Sequence, residues 1–134
     1  EIGVQVVRVE PNVYDRLDSM GKAFREIKKC KGMIVLGFER SHSYFLREKE
    51  GSEEQSEDTH RRYTSSWMHL EAGMAHALGL DIFILCEENI CSEGIFDRNW
   101  NSYAVIELMS HDQDSEDLNK FISHIEKWID GLEK

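Results

Sequence analysis

The chain reads as a single α/β domain built on a parallel sheet with helices on both faces. Two observations carry this: short, nearly continuous apolar runs of the kind buried on both faces, and helical apolar periodicities between them. Strands alternating with helices imply βαβ units and right-handed crossovers. The length of 134 residues suits one domain.

In chain order, the β-branched run Ile2–Val9 (IGVQVVRV), bounded by Pro11, predicts a first strand. Asn12 offers a helix N-cap. Val13, Leu17, Met20, Phe24 and Ile27 then recur at three- and four-residue spacing, which predicts a helix ending near the basic turn Lys28–Lys31. Met33–Phe38 (MIVLGF) predicts a strand covered on both faces. Glu39–Tyr63 is a long polar stretch. Its centre, Arg47–Asp58, holds few groups able to offset ordering entropy, so it is expected to be a mobile loop.

Thr64, Ser65 and Ser66 offer N-caps for a helix from about Trp67 to Leu78, which Gly79 stops. Its small residues Ala72, Gly73, Ala75 and Ala77 let it lie close to a sheet. Ile82–Cys86 (IFILC) and Tyr103–Leu108 (YAVIEL) predict two further strands, with a turn of helix near Ile95–Arg98 between them. Leu118, Phe121, Ile122, Ile125, Trp128, Ile129 and Leu132 mark a closing amphipathic helix capped by Asp114 or Ser115. Leu36, Ile84, Phe24, Phe121 and Ile125 are the expected core.

Composition excludes several functions. The net charge of −10 argues against nucleic acid, because phosphate backbones need clustered Lys and Arg. No apolar run approaches the ~18 residues of a membrane span. Three cysteines, Cys30, Cys86 and Cys91, without CxxC spacing read as reduced thiols of a cytoplasmic protein. None of the six histidines pairs with a cysteine at ligand spacing, so no zinc site is expected. The chain opens at Glu1 without Met, which suggests a piece of a longer or processed protein.

Ligands of open parallel sheets sit at the carboxyl ends of the strands. Here those ends are Glu39-Arg40, Glu87-Glu88 and the start of the Trp67 helix. Trp67 and Glu71 are i and i+4, so they share a helix face. Their plain reading is a core aromatic and a dipole-favoured acid. Arg61 and Arg62 lie just before the helix, where they could meet phosphate or merely balance the acidic loop. Glu87 and Glu88 could bind ribose hydroxyls or remain solvated loop acids; Glu39 and Arg40 are similarly placed, with an ion pair between them or with the loop as the plain reading. Tyr63 or Trp67 could stack on a base.

Thr64-Ser65-Ser66-Trp67-Met68-His69-Leu70-Glu71 resembles the Ser-x-x-Trp-x-x-x-Glu signature of Toll/interleukin-receptor (TIR) domains that cleave NAD, with Thr64 at the Ser position. Glu71-Ala72-Gly73-Met74-Ala75 resembles the Glu-x-Gly-x-Ala of nucleoside 2-deoxyribosyltransferases. The segment from Leu36-Gly37-Phe38-Glu39-Arg40 through Glu88 and Gly94-Ile95-Phe96 is also similar to nucleotide-binding relatives of both. The resemblance implies a flavodoxin-like sheet and Glu71 as catalytic carboxylate. Together with the placement at the strand ends, it gives an expected substrate site of Trp67, Ser65, Ser66, Glu39, Arg40, Arg61, Arg62, Tyr63 and Glu88. The ligand would be a nucleotide or nucleoside, with no cofactor.

The chain departs from these families in three places. Lys29-Cys30-Lys31 stands where the deoxyribosyltransferases place an Asp before the strand, and Ser65 replaces their second Asp. The first strand and loop that hold the nucleotide in both families are not evident. A non-catalytic nucleotide sensor, or a TIR-type module working by homo-oligomeric assembly, is the alternative expectation.

Overall fold

The structure is a computed structural model that describes residues 3–8, 17–109 and 115–132. Helix α1 (Ser19–Ile27) leads into strand β1 (Gly32–Gly37), and four short strands follow: β2 (Ser41–Ser43), β3 (Leu46–Glu48), β4 (Ser56–Asp58) and β5 (Arg61–Tyr63). Helix α2 (Ser66–Ala77), strand β6 (Asp81–Glu87), a 3₁₀ turn (Gly94–Phe96), strand β7 (Val105–Leu108) and helix α3 (Ser115–Leu132) complete the order.

The principal sheet is parallel, with order β1-β6-β7. The continuous apolar run explains the central place of β6, because Ile82 to Cys86 are all buried. Ile82, Ile84 and Cys86 join Ala23, Ile27, Val35, Ala72 and Ala75 in the core under α1 and α2. The alternate residue Phe83 meets Phe121 and Trp128 of α3 on the opposite face. Helices therefore cover both faces, as the sequence predicts. Gly32 makes room for α3 on β1, since a Cβ there would lie 2.8 Å from Leu132 and 2.9 Å from Trp128.

Several expectations need correction. Residues 3–8 of the predicted first strand belong to no strand and are exposed. β-branched composition alone does not make a strand outside a sheet, and residues 3–8 join none among the described residues. Residues 2 and 9 lie outside the described residues, as do the proposed caps Asn12 and Asp114 and the stripe residue Val13. The first helix is capped instead by Asp18, whose Oδ1 accepts from the Gly21 N–H at 3.1 Å. Its buried face carries Ala23 and Ile27, not Phe24, which is 40% exposed. Leu36 is 41% exposed, because α3 covers β6 and the start of β1 but leaves the rest of that edge strand open. Ile84 is fully buried, and Phe121 and Ile125 are half-buried.

The polar stretch is not structureless. β2 pairs with β5 and β3 with β4, both antiparallel, forming a nested β-ribbon arm. Arg47 stands opposite Glu57 in the register and bonds it at 2.8 Å, while also reaching Glu50 at 2.9 Å. Lys49 pairs with Glu54, and Arg61 with Asp58 and Glu48 at 2.7 and 3.0 Å. Exposed ion pairs contribute little singly. The ladders instead satisfy the backbone that an unpaired polar loop would leave to water, and the alternation of charges falls in register upon them.

Ile84→Ala should destabilise the chain by about 2–5 kcal/mol, as buried truncations do, whereas Leu36→Ala should cost below about 1 kcal/mol because half its surface already meets water. Urea denaturation of the two variants measures both; equal losses would contradict the edge position of β1.

Candidate functional site

The carboxyl ends of β1 and β6 are joined by side chains. The Glu39 N–H donates to Oε2 of Glu87 at 2.6 Å. The Glu39 carboxylate receives Arg62 Nε at 3.3 Å and lies 3.6 Å from Nδ1 of His42. The Arg40 N–H donates to the Tyr63 carbonyl at 2.8 Å, and the Cys91 N–H donates to the Arg62 carbonyl at 2.8 Å. A parallel bridge between Arg62 and Ile90 adds to this seam, so the arm is fastened to the segment that leaves β6.

Between the arm and that segment lies a cleft of about 440 Å³, lined by Asp58, Thr59, His60, Arg61, Arg62, Asn89, Cys91 and Ser92. His60 and Asn89 hold positive φ of 57° and 66°, a conformation uncommon outside glycine and found often where function fixes the backbone. Asp58 holds Arg61 firmly protonated through its hydrogen bond, aided by Tyr63 and Glu48. Burial, aided by the nearby Glu93, raises the Cys91 thiol above its ordinary range, which disfavours a thiolate nucleophile.

Helix α2 starts directly after the arm. Thr64 is buried, and the Ser65 hydroxyl caps the helix by accepting from the Trp67 N–H at 3.4 Å. Ser66, the first helical residue, is exposed. Trp67 remains 39% exposed, so it is not plain core. One turn further on the same side, Glu71 is only 9% exposed. Burial alone pushes its carboxyl above the usual carboxylate range. No hydrogen bond or ion pair reaches that carboxylate among the described residues, so Arg40, Arg61 and Arg62 do not compensate it.

The fold thus separates the expected residues into two groups. Glu39, Arg61, Arg62 and Tyr63 gather at the root of the arm, with Arg61 and Arg62 on the cleft. Trp67 and Glu71 lie along α2 and are not among the residues lining that cleft. The side chain of Arg40 is exposed, and Glu88 is half-buried with its N–H donating to the Leu108 carbonyl at 2.9 Å.

Sequence reasoning missed Asn89 and Ser92 on the cleft wall, the His42–His60 pair, and Arg98. The Arg98 guanidinium binds Glu107, the carbonyls of Ile90 and Phe96 at 3.1 and 3.2 Å, and the Cys86 sulfur at 3.4 Å. It fastens the loop after β6 to β7. The signal for Arg98 was present: one cation in a loop whose neighbours are acidic. His69, beside Glu71 in sequence, turns instead to the 3₁₀ turn, where its Nδ1 accepts from the Ile95 N–H at 3.4 Å.

Comparison with family models, with curated proteins and with solved structures finds no match for this chain.

The burial of Glu71 has a thermodynamic sign. Its carboxyl is raised when folded, so the unfolded chain ionises first as pH rises from about 4.3. Stability therefore falls as pH climbs through the folded value and then levels off. Glu71→Gln should raise the melting temperature at pH 7 relative to the parent, with the difference vanishing below about pH 4. A variant less stable than the parent at neutral pH would reveal a bonding partner for the carboxylate.

Proposed function

We propose that this chain is a nucleotide- or nucleoside-binding domain of flavodoxin-like build that cleaves an N-glycosidic bond, with Glu71 as the catalytic carboxylate. One observation carries the reading: Glu71 is a largely buried acid with no hydrogen-bond or ion-pair partner among the described residues, in the second turn of the helix that starts at the root of the arm. An acid placed so costs stability unless something of opposite charge visits it.

Departure of a base leaves positive charge on the sugar. The base takes the electron pair of the glycosidic bond, and the anomeric carbon becomes electron-poor. A poorly solvated carboxylate interacts with that charge far more strongly than one in water, and is better matched to the transition state than to the neutral substrate. Water then adds to the anomeric carbon and yields its proton to solvent. Half-exposed Trp67, on the same helix face, offers a ring for the base or sugar. The resemblance of Thr64 through Glu71 to the TIR signature points the same way.

The test is to incubate the full chain with NAD and with purine and pyrimidine nucleosides, separating any released base by chromatography. The parent should release base, and Glu71→Gln should lower the rate by about 10²–10³-fold, the scale for removing one preorganised charge-stabilising group, while still folding. The rate should fall on acidification through a midpoint above the ordinary carboxylate value, since only ionised Glu71 acts. Unchanged base release in Glu71→Gln would refute the assignment. Nucleotide binding that Glu71→Gln weakens, with no base released by the parent, would make the domain a sensor.

A further inference from the structure

Eighteen residues apart in sequence, His42 and His60 meet at the root of the arm. Nε2 of His42 stands 3.2 Å from Nδ1 of His60, and the rings cross at 76°. The ladder explains the meeting. His42 pairs with Arg62 across β2 and β5, and His60 immediately precedes β5, so the two are diagonal cross-strand neighbours. Tyr44 stacks on His42 with centroids 4.6 Å apart and meets His60 edge-on at 5.4 Å. Behind His42, its other ring nitrogen lies 3.6 Å from Oε1 of Glu39.

We infer that His42 and His60 form a two-histidine clip for a divalent transition metal of the Zn²⁺ class, with water completing the coordination. The inference stands apart from Glu71. Its first support is the separation. Two imidazole nitrogens about 2.0–2.1 Å from one tetrahedral Zn²⁺ lie roughly 3.3 Å from each other. Its second support is Glu39, whose carboxylate stands 3.6 Å behind His42, near enough to close on the ring N–H as an outer-shell partner when the other nitrogen ligates. Its third is preorganisation: the left-handed backbone of His60 (φ 57°) and the stacked Tyr44 set both rings without a metal.

Among the described residues no group of three or more His, Cys, Asp or Glu is placed to hold a metal ion. The clip itself supplies two ligands, which leaves the ion open positions. His60 also lines the 440 Å³ cleft, so a metal held here stands beside it, with positions free for an anionic group that enters. A direct hydrogen bond between the two rings needs no metal and fits the same separation.

Zn²⁺ titration of the full chain separates these outcomes, followed by calorimetry and by the imidazole ¹H–¹⁵N signals. The variants are His42→Ala and His60→Asn, the second chosen because Asn tolerates the left-handed backbone at that turn. Glu39→Gln tests the carboxylate behind the clip. One Zn²⁺ should bind per chain, shifting the His42 and His60 signals together. Either histidine variant should weaken binding at least about tenfold, and Glu39→Gln about tenfold or more, the range for outer-shell partners. If the two signals ignore Zn²⁺ up to about 1 mM, the pair is a hydrogen bond and the clip is refuted. Binding that survives both histidine variants refutes it equally, by placing the metal elsewhere.

Discussion

The burial of β6 between two helical layers is the constraint on which the rest depends. Five consecutive residues, Ile82 to Cys86, have no aqueous face, so the strand must sit at the centre of its sheet with helices above and below. Everything near the candidate site follows from where that strand ends. Glu87 reaches across to the backbone of Glu39 and fixes the end of β1. Arg98 folds the following loop back over Cys86 and ties it to Glu107. The arm is then fastened to that loop through Arg62 and Cys91. The cleft is the gap left where two polar excursions meet at the edge of one apolar strand.

Much of this was legible from local pattern. Met33–Phe38 and Ile82–Cys86 announced themselves by composition. The α2 helix announced itself by its capping serine and by Gly79, whose φ of +71° is the left-handed stop that glycine supplies. What stayed hidden needed pairing information. The arm's strands are three residues each and polar, and only the register placing Arg47 against Glu57 shows that they are strands at all. The same register unites His42 with His60. Residues 3–8 misled for the opposite reason: their composition suits a strand, but among the described residues they join no sheet. Leu36 and Phe24 misled because apolar identity does not reveal whether a second layer covers that side.

For the site, sequence spacing placed Trp67 and Glu71 on one helix face but could not say whether either was solvated. The fold leaves Trp67 39% exposed and Glu71 only 9% exposed. That is the reverse of what hydrophobicity alone would arrange, and it separates this helix from an ordinary core helix. The arginines expected to neutralise the acid are engaged elsewhere: Arg61 by Asp58 and Glu48, Arg62 by Glu39. Among the described residues the acid's charge has no protein counterpart.

The carboxyl titration of Glu71 measures that uncompensated charge directly. Carboxyl ¹³C signals of the full chain, assigned through Glu71→Gln and followed from about pH 3 to 8, give the ionisation of this one group. The midpoint is expected above the ordinary glutamate value of about 4.3, displaced by burial. A midpoint at or below that value would mean that water or a cation already attends the carboxylate, and would contradict the site.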